Sequence, residues 1–426
     1  MTPSKATAKI GRGVAKLRIE QPFWLAKSKS LRRTPFSSLD RDLTVDVAVV
    51  GGGVTGAAVA WRFANAGVSV ALLEAARVAH GSTAASTALL MQEPDEDFGD
   101  LAKRFGTRRA RRIWTLSREA TREFVHALRR LAIRCDLAMR DSVYYTLDGK
   151  RAARLRREYL QRRGAGIGAR WLDALALERA TGLAGYRDAA AIRTRGNAQV
   201  DPCKACLGLL RAAGARGALV FERSKVRRID RDGEGVIVRT RRGRVRARAV
   251  IVATGYATKE FRPLTGRFRM LRTYVVATDR LSAKAARAIG LHDVMIWDTE
   301  RPYHYARWTP DRRLMLGGAD RPHRPGGNRR RAVRVGGAAL REYFGELYPA
   351  LDGVRSAYAW EGLFATTSDG LPYIGRHRRY PNHLFALGYG GNGMTFGFLA
   401  ARLLLEQYQG LVSADHELFA FNRMRR

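Results

Sequence analysis

The residues with the clearest chemical purpose lie in Val45-Asp46-Val47-Ala48-Val49-Val50-Gly51-Gly52-Gly53-Val54-Thr55-Gly56. A β-branched run ends in G-x-G-x-x-G, and a small-residue segment, Gly56 to Ala66, follows. The run reads as a buried parallel strand and the segment as a helix stopped by Gly67. Val68 to Glu74 reads as a second strand, which completes a βαβ unit. In such a unit Gly51 allows a tight turn, Gly53 lets the backbone approach a pyrophosphate, and Gly56 permits close helix–strand packing. The phosphates then meet free N–H groups and the positive end of the helix dipole. Glu74 stands about 20 residues beyond the glycines, where a carboxylate binds ribose hydroxyls. With Val54 and Thr55 inside the loop, these residues form a candidate dinucleotide site.

Further motifs specify the nucleotide. Gly81-Ser82-Thr83-Ala84-Ala85-Ser86-Thr87-Ala88 is a small, hydroxyl-rich loop, and Val250-Ile251-Val252-Ala253-Thr254-Gly255 is a strand ending in glycine. Trp360-Glu361-Gly362 precedes Thr367-Ser368-Asp369-Gly370-Leu371-Pro372-Tyr373-Ile374-Gly375, and Gly388-Tyr389-Gly390-Gly391-Asn392-Gly393-Met394-Thr395 closes the series. Together with the first fingerprint they resemble the D-amino-acid oxidase-like (DAO-type, glycine–sarcosine oxidase-like) family of FAD-dependent oxidoreductases. The likeness covers nearly all of the chain from about Gln21.

The resemblance implies FAD held by Gly51, Gly53, Val54, Thr55, Gly56 and Glu74, by Ser82, Thr83, Ser86 and Thr87, and by Val226, Ala253, Thr254 and Gly255. The last loop, Gly390, Gly391, Asn392, Gly393, Met394 and Thr395, is expected to approach the flavin ring. Its N–H groups at a helix N-terminus suit the negative charge of a reduced flavin. No cysteine lies near Asp369 or in that loop, so non-covalent FAD is expected. The implied chemistry is transfer of a hydride from the α-carbon of a small amine or amino acid, followed by hydrolysis of the imine. Oxygen or another acceptor then takes the electrons. No strong side-chain base is evident, and none is required.

For substrate contact the best candidates are in Tyr303-His304-Tyr305-Ala306-Arg307. Strand alternation puts Tyr303, Tyr305 and Arg307 on one face and His304 on the other. An arginine fork holds carboxylates well, and packing aromatics beside a surface arginine are the competing reading. Amino-acid oxidases of the family often carry G-L-R-P after the tryptophan, with that arginine as carboxylate clamp. Here Gly362-Leu363-Phe364-Ala365 lacks it, which leaves Arg307 or Arg272 to take over.

These motifs need a discontinuous architecture. The expected fold is α/β, with a Rossmann-type FAD-binding domain (21–100, 200–262 and 355–426) interleaved with an α+β cap on an antiparallel sheet (101–199 and 263–354). Residues 1–20 read as a basic, disordered extension without a secretory signal. Leu101 to Arg163 is helical, interrupted by a strand at Ser142 to Leu147. Ala218 to Ile229, Gly235 to Thr240 and Arg244 to Val252 read as strands. Met270 to Thr278, Pro302 to Trp308 and Leu314 to Gly318 form the cap sheet, with Thr309-Pro310-Asp311 as a hairpin turn. Phe396 to Gln407 is a final apolar helix.

Composition bounds the remaining classes. The 426 residues carry 77 Lys and Arg against 39 Asp and Glu, a net charge of +38. Only eleven are lysines, and the arginines are dispersed, which suits a GC-rich coding bias better than polyanion binding. An FAD-dependent nucleic-acid-modifying enzyme is thus disfavoured, and nucleic acid is not an expected partner. A dehydrogenase subunit passing electrons to a partner or quinone is the stronger alternative. No apolar run reaches the roughly 20 residues of a membrane span. Cys135, Cys203 and Cys206 suit a reducing compartment, so the cytoplasm is the expected location. Cys203-Lys204-Ala205-Cys206 follows Asp201-Pro202, which looks like a helix start, and no second pair completes a zinc site; no metal is expected.

Overall fold

The computed structural model describes residues 17–27 and 36–425. Two sheets organise the chain. The smaller runs Tyr373–His377, Tyr380–Leu387, Arg244–Gly255, Leu43–Val50, Val70–Leu73 and Leu219–Phe221, with a hairpin of Arg228–Asp232 and Gly235–Arg239 paired to Arg244–Gly255. Leu43–Val50 lies at its centre, parallel to Val70–Leu73 and to Arg244–Gly255, with Val50 opposite Leu73 and Val252. Val47, Ala48 and Val49 are fully buried, as expected of a strand covered on both faces.

Helix Val54–Asn65 leaves this strand and packs between helices Pro202–Gly214 and Gly393–Tyr408. Its small residues permit the approach. A Cβ on Gly397 would lie 2.5 Å from Thr55 Oγ1, and one on Gly56 would lie 1.9 Å from the Gly51 carbonyl oxygen.

The larger sheet has ten strands. Its path is Arg18–Ile19, Ser356–Thr366, Arg269–Thr278, Leu314–Pro322, Tyr305–Trp308, Val294–Asp298, Ala138–Thr146, Ala190–Gln199 and Leu89–Leu90, with Arg170–Leu172 beside Ala190–Gln199. Helix Arg329–Leu347 covers one face, burying Val333, Leu340 and Phe344 among Tyr274, Val276 and Leu316. Gly336 makes room for the Tyr274 ring, which a Cβ there would meet at 2.3 Å.

Several expected elements differ in extent. Ala218 to Ile229 is not one strand: the chain leaves the sheet after Phe221, where Arg223 adopts φ 50° and Ser224 Oγ donates to the Glu222 carbonyl. The buried Glu222 accepts from Val78 N–H, so this turn is fastened to the loop after the second strand. The strand expected at Pro302 starts at Tyr305, and its partner runs on to Pro322. Residues 18 and 19, placed in a disordered extension, pair in parallel with Tyr358 and Ala359; residues 1–16 of that extension lie outside the described residues. Ser356–Thr366, assigned to the FAD-binding segments, pairs with Arg269–Thr278 in the larger sheet. Helix Thr107–Arg130, assigned to the cap, packs through Phe124 on Phe398 of Gly393–Tyr408. Among the described residues no helix is long and apolar enough to cross a membrane.

The C-terminus is locked by a buried ion pair. Arg423 donates to both oxygens of Asp369 at 2.6 and 2.8 Å, and to the carbonyls of Leu371 and Pro372. Its guanidinium stacks 4.0 Å from the centre of the Tyr373 ring. Burial raises the Asp369 carboxyl, but Arg423 outweighs it and holds the group below its ordinary range. Removing one partner leaves an uncompensated buried charge, so Arg423→Ala should lose about 3–5 kcal/mol in chemical denaturation. The wild-type contribution is fully present above the unfolded carboxylate value of about 3.9 and disappears as pH falls through the lower folded value. Acid titration of wild type and Arg423→Ala should therefore converge at low pH.

Candidate functional site

A cavity of about 1090 Å³ runs from the first glycine loop to the larger sheet. At one end Gly51, Gly52, Gly53, Val54 and Thr55 meet Glu74. Gly51 has φ 110°, and a Cβ there would strike the Ala253 carbonyl at 2.6 Å, so two strand ends converge on bare backbone. Gly53 is the N-cap of the helix and lines the cavity, and a Cβ on it would lie 3.1 Å from Thr83 Oγ1. Glu74 accepts from Gly52 N–H at 2.7 Å and from Ala76 N–H at 2.8 Å, which fixes its carboxylate beside the loop. Thr83 Oγ1 accepts from Val54 N–H. Val226, Ala253, Thr254 and Gly255 complete this end.

The hydroxyl-rich loop forms the middle of the cavity through Ser82, Thr83, Ser86 and Thr87. Two indoles fasten it. Trp360 Nε1 donates to the Ala85 carbonyl at 2.9 Å, and Trp24 Nε1 donates to the Ser86 carbonyl at 2.8 Å. Ser82 Oγ donates to the Leu363 carbonyl. The far end combines Gly390, Gly391, Asn392, Gly393 and Met394 with Tyr303, Tyr305 and Trp297 of the larger sheet.

Five expected contacts are absent from the cavity wall. Gly56 is buried in the helix–strand contact, and Thr395 donates to the Met91 carbonyl inside the helix packing. His304, just before the strand, turns away from the cavity against Asp298 and the Tyr343 ring. Arg272 is held by Glu361 at 3.1 Å and by His323. Arg307 shares the Tyr305 face but sits beyond the cavity floor. It donates to the Ala88 and Val200 carbonyls and stacks over Trp24, and it is only 1 % exposed. Burial lowers its pKa to about 9. Arg307 thus secures the 82–88 loop rather than offering a fork to a ligand.

Among the cavity carboxylates that sequence reading missed, two have raised pKa values near Tyr303. Asp95 accepts from Gly391 N–H at 2.5 Å, and burial pushes its pKa up to about 6. Asp320 is raised to about 6, again by burial, against the lowering effects of Thr273 and His304. Neither belongs to a recognisable motif, so no local pattern could reveal them. The glycines of the last loop owe part of their identity to these neighbours. A Cβ on Gly390 would lie 2.4 Å from Asp95 Oδ2, and one on Gly391 would lie 2.3 Å from the Tyr303 hydroxyl.

The arrangement offers an anion cradle of backbone at a helix N-terminus, a carboxylate beside it, and a polar-tipped aromatic chamber in the same cavity. A dinucleotide cofactor fits the first two features, because side chains would fill the space that glycines leave open. If Arg307 is a fastener, Arg307→Met should lower stability by about 1.5–3 kcal/mol through its lost charged hydrogen bonds. Cofactor retention should fall with it, while KM of the loaded fraction stays near wild type in steady-state assays.

Comparison with known proteins agrees with this geometry. Residues 46–407 match the family model of the FAD dependent oxidoreductases, DAO. The chain is 30% identical over 393 residues to the gamma-glutamylputrescine oxidoreductase of Escherichia coli (strain K12), covering 88% of this chain and 86% of that protein. It is 27% identical over 372 residues to the glycine oxidase of Geobacillus kaustophilus (strain HTA426), covering 87% and 92%. In fold it resembles the crystal structure of glycine oxidase from Geobacillus kaustophilus, with a TM-score of 0.74 at 22% identity over 87% of this chain and 96% of that one. The L-proline dehydrogenase from P. horikoshii gives a TM-score of 0.73 at 18% identity over 92% and 99%. The convergence of fold, glycine cradle and sequence match places this chain in the DAO family of FAD-dependent oxidoreductases.

Proposed function

We propose that the protein binds FAD non-covalently along this cavity and oxidises the C–N bond of a small amine or amino acid. The observation that carries the reading is the continuity of the cavity: one space joins the glycine cradle to the aromatic chamber. The relatives named for amine and amino-acid substrates support the same class. When bound, the flavin supplies an acceptor for the hydride leaving the substrate's α-carbon.

The chain's own residues do the remaining work. The Gly51–Gly53 backbone and the N-terminus of Val54–Asn65 would hold the pyrophosphate, and Glu74 the ribose. Ser82, Thr83, Ser86 and Thr87 lie along the cofactor's path, kept in place by Trp24 and Trp360. The N-terminus of Gly393–Tyr408 would favour negative charge accumulating beside it. Tyr303, Tyr305 and Trp297 would enclose and orient the amine, so position supplies much of the rate. The imine product hydrolyses in water. Cys203 and Cys206 lie under the first loop, with Sγ 3.6 Å from the Ala79 and 3.7 Å from the Gly52 carbonyl oxygens. Three buried, unpaired cysteines favour a reducing compartment such as the cytoplasm.

Purified protein should be yellow, and an anaerobic panel of amines and amino acids should bleach the flavin absorbance with one class. Flavin-loaded protein that no member of the panel reduces would overturn the reading. Gly53→Val should fold, since φ −80° suits any residue, yet carry no flavin by absorbance. A fully flavinated Gly53→Val would remove the pyrophosphate from this loop.

A further inference from the structure

We infer that the chamber recognises a cationic amine without a carboxylate beside its reacting carbon, and that Asp320 is the residue holding the ammonium. This rests on the proposed amine oxidation and specifies its substrate class: the ammonium is the species recognised, and it gives a proton to solvent before the neutral amine loses its hydride.

The strand carrying Asp320 is shaped at that point. Leu314–Pro322 pairs with Arg269–Thr278 regularly up to Gly318 opposite Tyr274, then shifts register before Arg321 meets Arg272. Within the shift Ala319 adopts φ 54°, a left-handed conformation that alanine rarely takes. The irregularity sets Asp320 against the cavity, beside Thr273 of the neighbouring strand. Its Oδ1 is buried and has no hydrogen-bond partner. A buried carboxylate oxygen left open in a ligand cavity is costly unless something donates to it.

The surroundings suit a cation. Trp297, Tyr303 and Tyr305 stand together, with ring centres 6.3 Å apart for the first pair and 5.9 Å for the second. Gly317 has no side chain because Tyr305, its partner across the strands, occupies that space. Aromatic faces beside a carboxylate attract an ammonium through quadrupole and charge together. Asp95, a second carboxylate at this end, is already engaged by Gly391 and lies within the influence of Arg301.

The arginines of the sheet and rim are committed elsewhere, and Arg301, in the loop over the Tyr303 ring, donates to the Glu300 carbonyl. Arg329 at its rim pairs with Glu361 at 2.9 Å, and Arg272 pairs with the same carboxylate. Arg307 is fastened to carbonyls behind the wall. A substrate carboxylate entering the chamber would meet Asp320 without an arginine of the sheet free to balance it.

The test uses the flavin-loaded protein and simple probes. Butylammonium and butyrate are titrated by calorimetry into wild type and Asp320→Asn, and butylamine, butane-1,4-diamine and alanine are compared as reductants. Butylammonium should bind more tightly than butyrate, and Asp320→Asn should weaken it about tenfold or more, the loss of one charged hydrogen bond. Flavin content should not change. Tighter binding of butyrate than of butylammonium to wild type would overturn the inference, and so would equal affinity of the two proteins for butylammonium. A wild type that binds butylammonium but is reduced by no amine would sink the proposed oxidation and leave the recognition standing.

Discussion

The structure depends on how closely three stretches of backbone meet at the end of the central strand. Gly51 lies against the Ala253 carbonyl, and Gly56 lies against the Gly51 carbonyl, at separations that leave no room for a Cβ. These contacts fix the angle at which helix Val54–Asn65 leaves the sheet. That angle in turn directs the N-terminal N–H groups of the helix into the cavity. An extra methyl at either position would force strand and helix apart, and the anion cradle would lose its shape.

The second half of the cavity is held to the first by a few buried polar contacts. The loop between Ser82 and Ala88 runs between the two sheets, and it is hydrogen-bonded by indoles from residues 24 and 360 and by a guanidinium from residue 307. Each donor bonds a carbonyl of this loop, the one on Ala88 being shared with Val200 N–H. Buried hydrogen bonds of this kind position a cavity wall more firmly than apolar packing alone, because they are directional. The aromatic chamber can therefore stand at a set distance from the glycine cradle, although the two belong to different sheets.

Much of this was legible from local pattern. The strand–glycine–helix unit, Glu74, the hydroxyl-rich loop and the last glycine-rich loop are contiguous, and each carries its own chemical reason. Tyr303 and Tyr305 do line the cavity and His304 does not, although the strand whose alternation suggested this begins only at Tyr305. The strand expected from Ala218 to Ile229 failed because a buried carboxylate at Glu222 anchors a turn that propensity does not register. Ser356–Thr366 was assigned with the FAD-binding segments but pairs in the larger sheet, because a β-rich segment does not announce its partner.

The amino-acid sequence by itself determined the nucleotide end of the protein. A turn of glycines between a β-branched run and a small-residue helix has only one economical geometry, and that geometry suits an anion. Tertiary structure alone decided the substrate end. Whether an arginine offers its fork to a ligand or spends it on carbonyls depends on what lies beyond its sheet, as Arg307 demonstrates. Asp95 and Asp320 come together at Tyr303 from segments distant in the chain, and their raised pKa values come from burial by neighbours that no local spacing encodes.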